Sequence, residues 1–147
     1  MNLTFHFSGC TANQSSTVTL LATEDSRSLE NGTFLLPFNS TCQWNITAPV
    51  GKVLSIDAGI FLFHKPCGDM YLKIHDGPSE SSSIIAEYCL NITFSTKKFS
   101  SSGRSVWIEA KKGPLDSYGG FRISYQAIPF EGKRILIIEM KMISNSL

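Results

Sequence analysis

The sequence predicts an all-β domain, a sandwich or a barrel, and three observations carry that prediction. Apolar residues recur at every second position in several short runs, the period of a half-buried strand. Clusters of Gly, Pro, Ser and Asp separate those runs, as turns do in all-β folds. No stretch keeps a helical period over a convincing length, and no internal repeat is present.

Taken in order, Thr17-Val18-Thr19-Leu20-Leu21 is a short β-branched run. Gln43 to Ala48 alternates, with Trp44, Ile46 and Ala48 on one face and Gln43, Asn45 and Thr47 on the wet one. Pro49-Val50-Gly51 reads as a turn. Val53 to Ala58 follows, with Leu54, Ile56 and Ala58 facing in. Met70 to His75 alternates again: Met70, Leu72 and Ile74 face in, Tyr71, Lys73 and His75 out. Asp76-Gly77-Pro78-Ser79 ends that strand, Ser79 to Ser83 is a polar loop, and Ile84 to Cys89 is the next strand. Val106, Ile108 and Ala110 share one face of another, which turns Trp107 outward. Phe121, Ile123, Tyr125 and Ala127 share a face of the last, entered through Gly119-Gly120. The run Ser100-Ser101-Ser102-Gly103 is too brief for a linker, and Lys133 to Leu147 receives no assignment.

A chain of 147 residues has room for one domain and short extensions. With 42% hydrophobic residues it can bury a real core. A net charge of +1 lacks the basic excess of a nucleic-acid footprint. Arg134 to Ile143 is apolar-rich but broken by Glu139 and Lys141, and falls short of the about 20 apolar residues that span a bilayer. No membrane insertion of this segment is expected.

The four cysteines, Cys10, Cys42, Cys67 and Cys89, form no C-x-x-C pair. Their even number and wide spacing suit structural disulfides in an oxidising compartment. Six N-x-[ST] triplets, at Asn2, Asn13, Asn31, Asn39, Asn45 and Asn91, crowd the first 93 residues. One triplet arises readily by chance; six together point with the cysteines to the secretory pathway. Met1 to Phe7 lacks the basic start and apolar run of a signal peptide. An extracellular location therefore implies an incomplete product or a piece of a longer chain.

The order of motifs is more specific than any one of them. Cys42 opens Cys-Gln-Trp-Asn-Ile-Thr-Ala-Pro, and Cys67 leads to Tyr-Leu-Lys-Ile-His-Asp-Gly. Cys89 follows, then Phe99-Ser-Ser-Ser-Gly-Arg-Ser-Val-Trp-Ile-Glu and Gly120-Phe-Arg-Ile-Ser-Tyr. From Cys10 to about Ile128 this resembles the CUB domain family in order, spacing and residue type. The stretch Thr11 to Thr41 departs from it, being longer and lacking the family's Ser-Pro and Tyr-Pro elements.

That resemblance implies a CUB-type, jelly-roll-like sandwich of two antiparallel sheets over residues 10–128, with an extension at 1–9 and a tail at 129–147. It implies the pairings Cys10–Cys42 and Cys67–Cys89, each adding roughly 3–4 kcal/mol, where cysteine spacing alone leaves three pairings open. It implies an extracellular, non-catalytic recognition module that binds protein or carbohydrate inside a larger modular protein. The alternatives are a non-catalytic segment of a secreted protease and a free-standing, spermadhesin-like glycan-binding protein. No cofactor is expected; calcium is the one candidate. Of the usual family ligands, Asp69 and Asp116 match the second and third. The first is missing, because Ile60 to His64 holds no acid and His64 stands near the expected glutamate.

Other clusters read plainly. His64-x-x-Cys67 with His75 nearby is a disulfide cysteine beside two surface histidines rather than a zinc site. No G-x-S-x-G or H-E-x-x-H motif is present, so no enzyme is expected. Asp57, Glu87 and Glu109 read as outward strand positions. Lys97-Lys98, Arg104 and Lys111-Lys112 lie near the two ends of the Val106 strand, where a cluster would attract an acidic partner.

Overall fold

The computed structural model describes residues 15–31, 40–63, 66–90, 92–113 and 120–130. Among these residues the chain forms nine strands and no helix. They are β1 (Ser15–Leu21), β2 (Arg27–Asn31), β3 (Ser40–Thr47), β4 (Lys52–Phe63), β5 (Tyr71–Asp76), β6 (Ser83–Tyr88), β7 (Ile92–Ser100), β8 (Ser105–Lys112) and β9 (Gly120–Pro129). A five-stranded sheet runs β1-β3-β8-β5-β6 and a four-stranded sheet β2-β9-β4-β7. The chain crosses between them repeatedly, so strands adjacent in sequence rarely pair.

Pairing is antiparallel except for β1 and β3, which are parallel. The reason is topological. Between them the chain crosses to the other sheet to form β2 and returns, a long connection of the kind parallel neighbours require.

The core is the alternation made solid. Trp44, Ile46 and Ala48 of β3 and its continuation, Leu54, Ile56 and Ala58 of β4, and Val106, Ile108 and Ala110 of β8 are all buried. So are Leu72 and Ile74 of β5 and Phe121, Ile123 and Tyr125 of β9. Trp44 meets Phe121 across the sandwich, edge to face, with ring centroids 6.0 Å apart. Burying one such side chain contributes about 1.5–3 kcal/mol, so the inner rows hold most of the fold's apolar stabilisation.

The two ends of the sandwich are fastened differently. At one end, Gly51 adopts φ 81° in the Pro49–Lys52 turn, which closes with Lys52 N donating to Pro49 O at 3.1 Å. A type II turn needs that left-handed residue. Ser101 is buried and ties β4 to the turn between β7 and β8: Leu54 N donates to its hydroxyl at 2.8 Å, and the hydroxyl donates to Gly103 O at 2.7 Å. Arg104 Nε donates to Ala48 O at 3.0 Å, and Ser102 N to the Asp76 carboxylate at 3.0 Å. The opposite end carries the start of β5, the end of β8 and the Cys67–Cys89 bond, whose Cα atoms stand 4.9 Å apart.

Candidate recognition surface

The outward residues of the five-stranded sheet line up in rows across its paired strands, with one register shift in the β5–β6 pairing between Ile74 and His75. One row runs Thr17, Gln43, Glu109, Lys73, Glu87; the next runs Thr19, Asn45, Trp107, His75, Ile84. Side chains directly opposite on one face are close enough to touch. The first row does so. Thr17 Oγ1 donates to Gln43 Oε1 at 3.0 Å, and Gln43 Nε2 donates to Glu109 Oε2 at 3.2 Å. The Tyr71 hydroxyl donates to the other oxygen of Glu109. Lys73 Nζ sits 4.5 Å from the centre of the Tyr71 ring. Burial, and then the hydrogen bond to Glu109, push the Tyr71 phenol well above its ordinary value. Tyr71 therefore stays a neutral donor to a charged acceptor.

The second row is less satisfied. Asn45 and Trp107 are register partners, both half-buried. Asn45 Oδ1 and Trp107 Nε1 are buried, and neither has a hydrogen-bond partner among the described residues. One is an acceptor and the other a donor, and leaving such groups unmet costs about 1–3 kcal/mol each. Beyond them, Ile84 is 52% exposed. His75 is buried, and its Nδ1 donates to Ser82 O at 2.9 Å. The expectation of a surface histidine is corrected here: the 79–83 loop folds back over the ring.

The other predicted positions divide. Cys67 and Cys89 are bonded, and Cys42 is disulfide-bonded; Cys10 lies outside the described residues. Of the sequons, Asn45 is on the outer face of β3 and Asn31 ends β2, while Asn2, Asn13, Asn39 and Asn91 lie outside the described residues. So do His64 and Asp116. Asp69 is exposed in the turn before β5, where its N–H donates to Pro66 O at 2.9 Å. The basic residues are not gathered into one cluster. Lys97 and Lys98 lie on β7 of the other sheet, and Arg104 and Lys111 are at opposite ends of β8. Lys111 Nζ donates to Gly68 O at 2.7 Å, and Lys112 points into the interior at 1% exposure. Adjacent strand residues face opposite ways, which separates each lysine pair.

The outer face of the four-stranded sheet has a different character. Ser26, Ser55, Asp57, Lys98, Ser124 and Gln126 line a polar depression of about 190 Å³. That is below the roughly 300–1,000 Å³ of small-molecule pockets, and the depression lacks their apolar lining.

Two stacked sheets, an inter-sheet Trp44–Phe121 contact and a cystine at one end define a disulfide-bonded β-sandwich module. The model of the CUB domain family matches residues 18–125, and the chain belongs to that family. Human cubilin is 30% identical over 93 residues, which is 62% of this chain and 2% of cubilin. Human CUB and zona pellucida-like domain-containing protein 1 is 33% identical over 89 residues, 59% of this chain and 14% of that protein. The chain thus spans a small part of these relatives. The CUB1-EGF-CUB2 structure of human MASP-1/3 superposes with a TM-score of 0.58 at 23% identity, over 74% of this chain and 41% of that one. The calcium-bound MASP-1 CUB2 domain gives 0.56 at 21% identity, over 73% of this chain and 96% of that one. At these identities the likeness is one of fold. CUB domains are non-catalytic modules that occur in extracellular proteins. No helix among the described residues is long and apolar enough to cross a membrane.

Proposed function

We propose that this chain is a secreted or ectodomain recognition module, bounded by residues 10 and 128 within a larger protein. It engages a protein or glycan ligand through the outer face of its five-stranded sheet. The observation that carries this reading is Trp107, an outward, half-buried aromatic ring at the middle of that face beside its register partner Asn45. Aromatic anchors amid polar groups are the residue pattern of recognition surfaces. Gln43, Glu109 and Tyr71 flank the pair on one side with a hydrogen-bonded frame that is already in place. Six sequons and the cystine support an extracellular setting, where a glycan on Asn45 would cover the face and regulate access to it.

The test uses the biotinylated, disulfide-bonded protein on cultured cells and on a printed glycan array. Wild type is expected to bind, and Trp107→Ala to lose at least about tenfold in affinity, the effect of an interface anchor worth about 1.4 kcal/mol, with its melting midpoint retained. Loss of cell binding after protease treatment identifies a protein ligand; loss after glycosidase treatment, with array signal, identifies a glycan. Binding that Trp107→Ala leaves intact would remove this face from the account.

A further inference from the structure

Four observations converge on the end of the sandwich where the resemblance offers a calcium site. Asp69 belongs to the turn that leads into β5, and Tyr71 of β5 pairs with Lys111. Asp116 lies in the segment between Lys112 and Gly120, and Gly120 pairs with Phe61 near the end of β4 that leads toward Cys67. Asp116 itself lies outside the described residues, whereas Asp69 stands at the end where β8 places Lys111 and Lys112. Lys111 is already spent on this turn, its ammonium bonded to the carbonyl of Gly68, next to Asp69. Lys112 sits on the inner row, opposite Ser40, at 1% exposure, and it is partnered.

A hard divalent cation needs six to eight oxygen ligands, several of them anionic. Here the described acid is one exposed carboxylate, Asp69, and among the described residues no three of His, Cys, Asp and Glu come together. Against that one acid stand two lysines at the end of β8, Lys111 and Lys112, and the first family acid is absent from Ile60 to His64. The residues do not fit a calcium site. A buried ammonium is tolerated only where it is paired or hydrogen-bonded, so a fixed lysine can supply the positive centre that a metal would.

We infer that lysine ammonium groups, Lys112 from inside and Lys111 from the outer face, supply the positive charge at this end of the sandwich in place of calcium. The 66–70 turn is then held without metal, and recognition by this domain is insensitive to chelator.

The experiment compares thermal melting of the disulfide-intact protein in calcium chloride and in EGTA, for wild type, Lys112→Met and Lys111→Met. A bound ion must raise the midpoint by linkage. Wild type is expected to melt at the same temperature in both media. Lys112→Met, which keeps the stem and removes the charge, is expected to melt lower in both by the same amount. Lys111→Met is expected to speed amide exchange at Asp69 and Met70. A wild-type midpoint raised by calcium overturns the inference. So does a Lys112→Met midpoint equal to or above wild type, since replacing an idle buried charge by an apolar group is neutral or stabilising. If Lys112→Met does not fold, the wild-type comparison and the Lys111→Met exchange rates still decide.

Discussion

Replacing Cys67 and Cys89 together by Ser removes a cross-link over a sequence separation of 22. In the chain-entropy account, closing a loop of that length lowers the unfolded state's entropy enough to stabilise the fold by about 3 kcal/mol. Lost packing adds little, because Cys67 is exposed and Cys89 is only half-buried. At roughly 2.1 cal/mol/K of unfolding entropy per residue, that loss lowers the melting midpoint by roughly 10 °C for a chain of 147 residues. The informative assay is urea unfolding, followed by the fluorescence of Trp44 and Trp107. The cross-link acts on the unfolded chain, so its removal lets more surface become exposed and the slope m rises with the fall in stability. A loss of the expected size at unchanged m would place the effect in native packing. A loss under about 1 kcal/mol would show that the loop has little entropy to regain. Either result refutes the reasoning.

Gly77→Ala is expected to cost about 1–3 kcal/mol, as overpacking does, because an added Cβ would stand 2.2 Å from Ser82 Oγ and 2.6 Å from Ser82 Cβ. The midpoint drop checks this, and adding Ser82→Gly should restore part of it. On the alkaline side, burial raises the phenols of Tyr71, Tyr88 and Tyr125 above their ordinary values. The unfolded chain releases those protons first, near pH about 10, so stability falls as pH climbs past that point. Burial lowers Lys112, which works in the opposite direction, but one lysine faces three tyrosines. Phenolate absorbance from these three should therefore rise late and together with loss of near-ultraviolet dichroism; since the chain has a fourth tyrosine, Tyr118, phenolate from more than one tyrosine before unfolding would contradict the burial.

Central strands are legible in the sequence because a single period governs them. β3, β4, β8 and β9 each bury one full row of side chains, so Trp44-x-Ile46-x-Ala48 and its counterparts announce both the strand and the inward face. The edge strands β2 and β7 carry no such signal. β2 buries Leu29 alone among its described side chains, and those of β7 are exposed or half-buried. Lys97 of β7 even holds an inward register position, opposite Ala58, yet remains exposed at the open side of the sandwich. The site divides along the same line. Alternation alone turns Tyr71 and Trp107 outward. That Glu109 accepts from both Gln43 and Tyr71 depends on the register of three strands far apart in sequence, which no local pattern encodes. Proximity in sequence misleads with the lysines, because neighbours on a strand point to opposite faces.

The register that hides this hydrogen-bonded row from local patterns also explains why the row suits recognition. Gln43, Glu109 and Tyr71 belong to β3, β8 and β5, the interior strands of their sheet, with β1 and β6 shielding both edges. Their hydrogen bonds hold long side chains in place before any ligand arrives. Immobilising each such side chain at an interface otherwise costs about 0.5–1.5 kcal/mol, so a partner meeting this face is spared much of that ordering. The polar depression of the other sheet has no comparable frame: its Lys98 belongs to the edge strand β7 and is exposed. Preorganisation, together with the outward ring of Trp107, favours the five-stranded face as the one that binds.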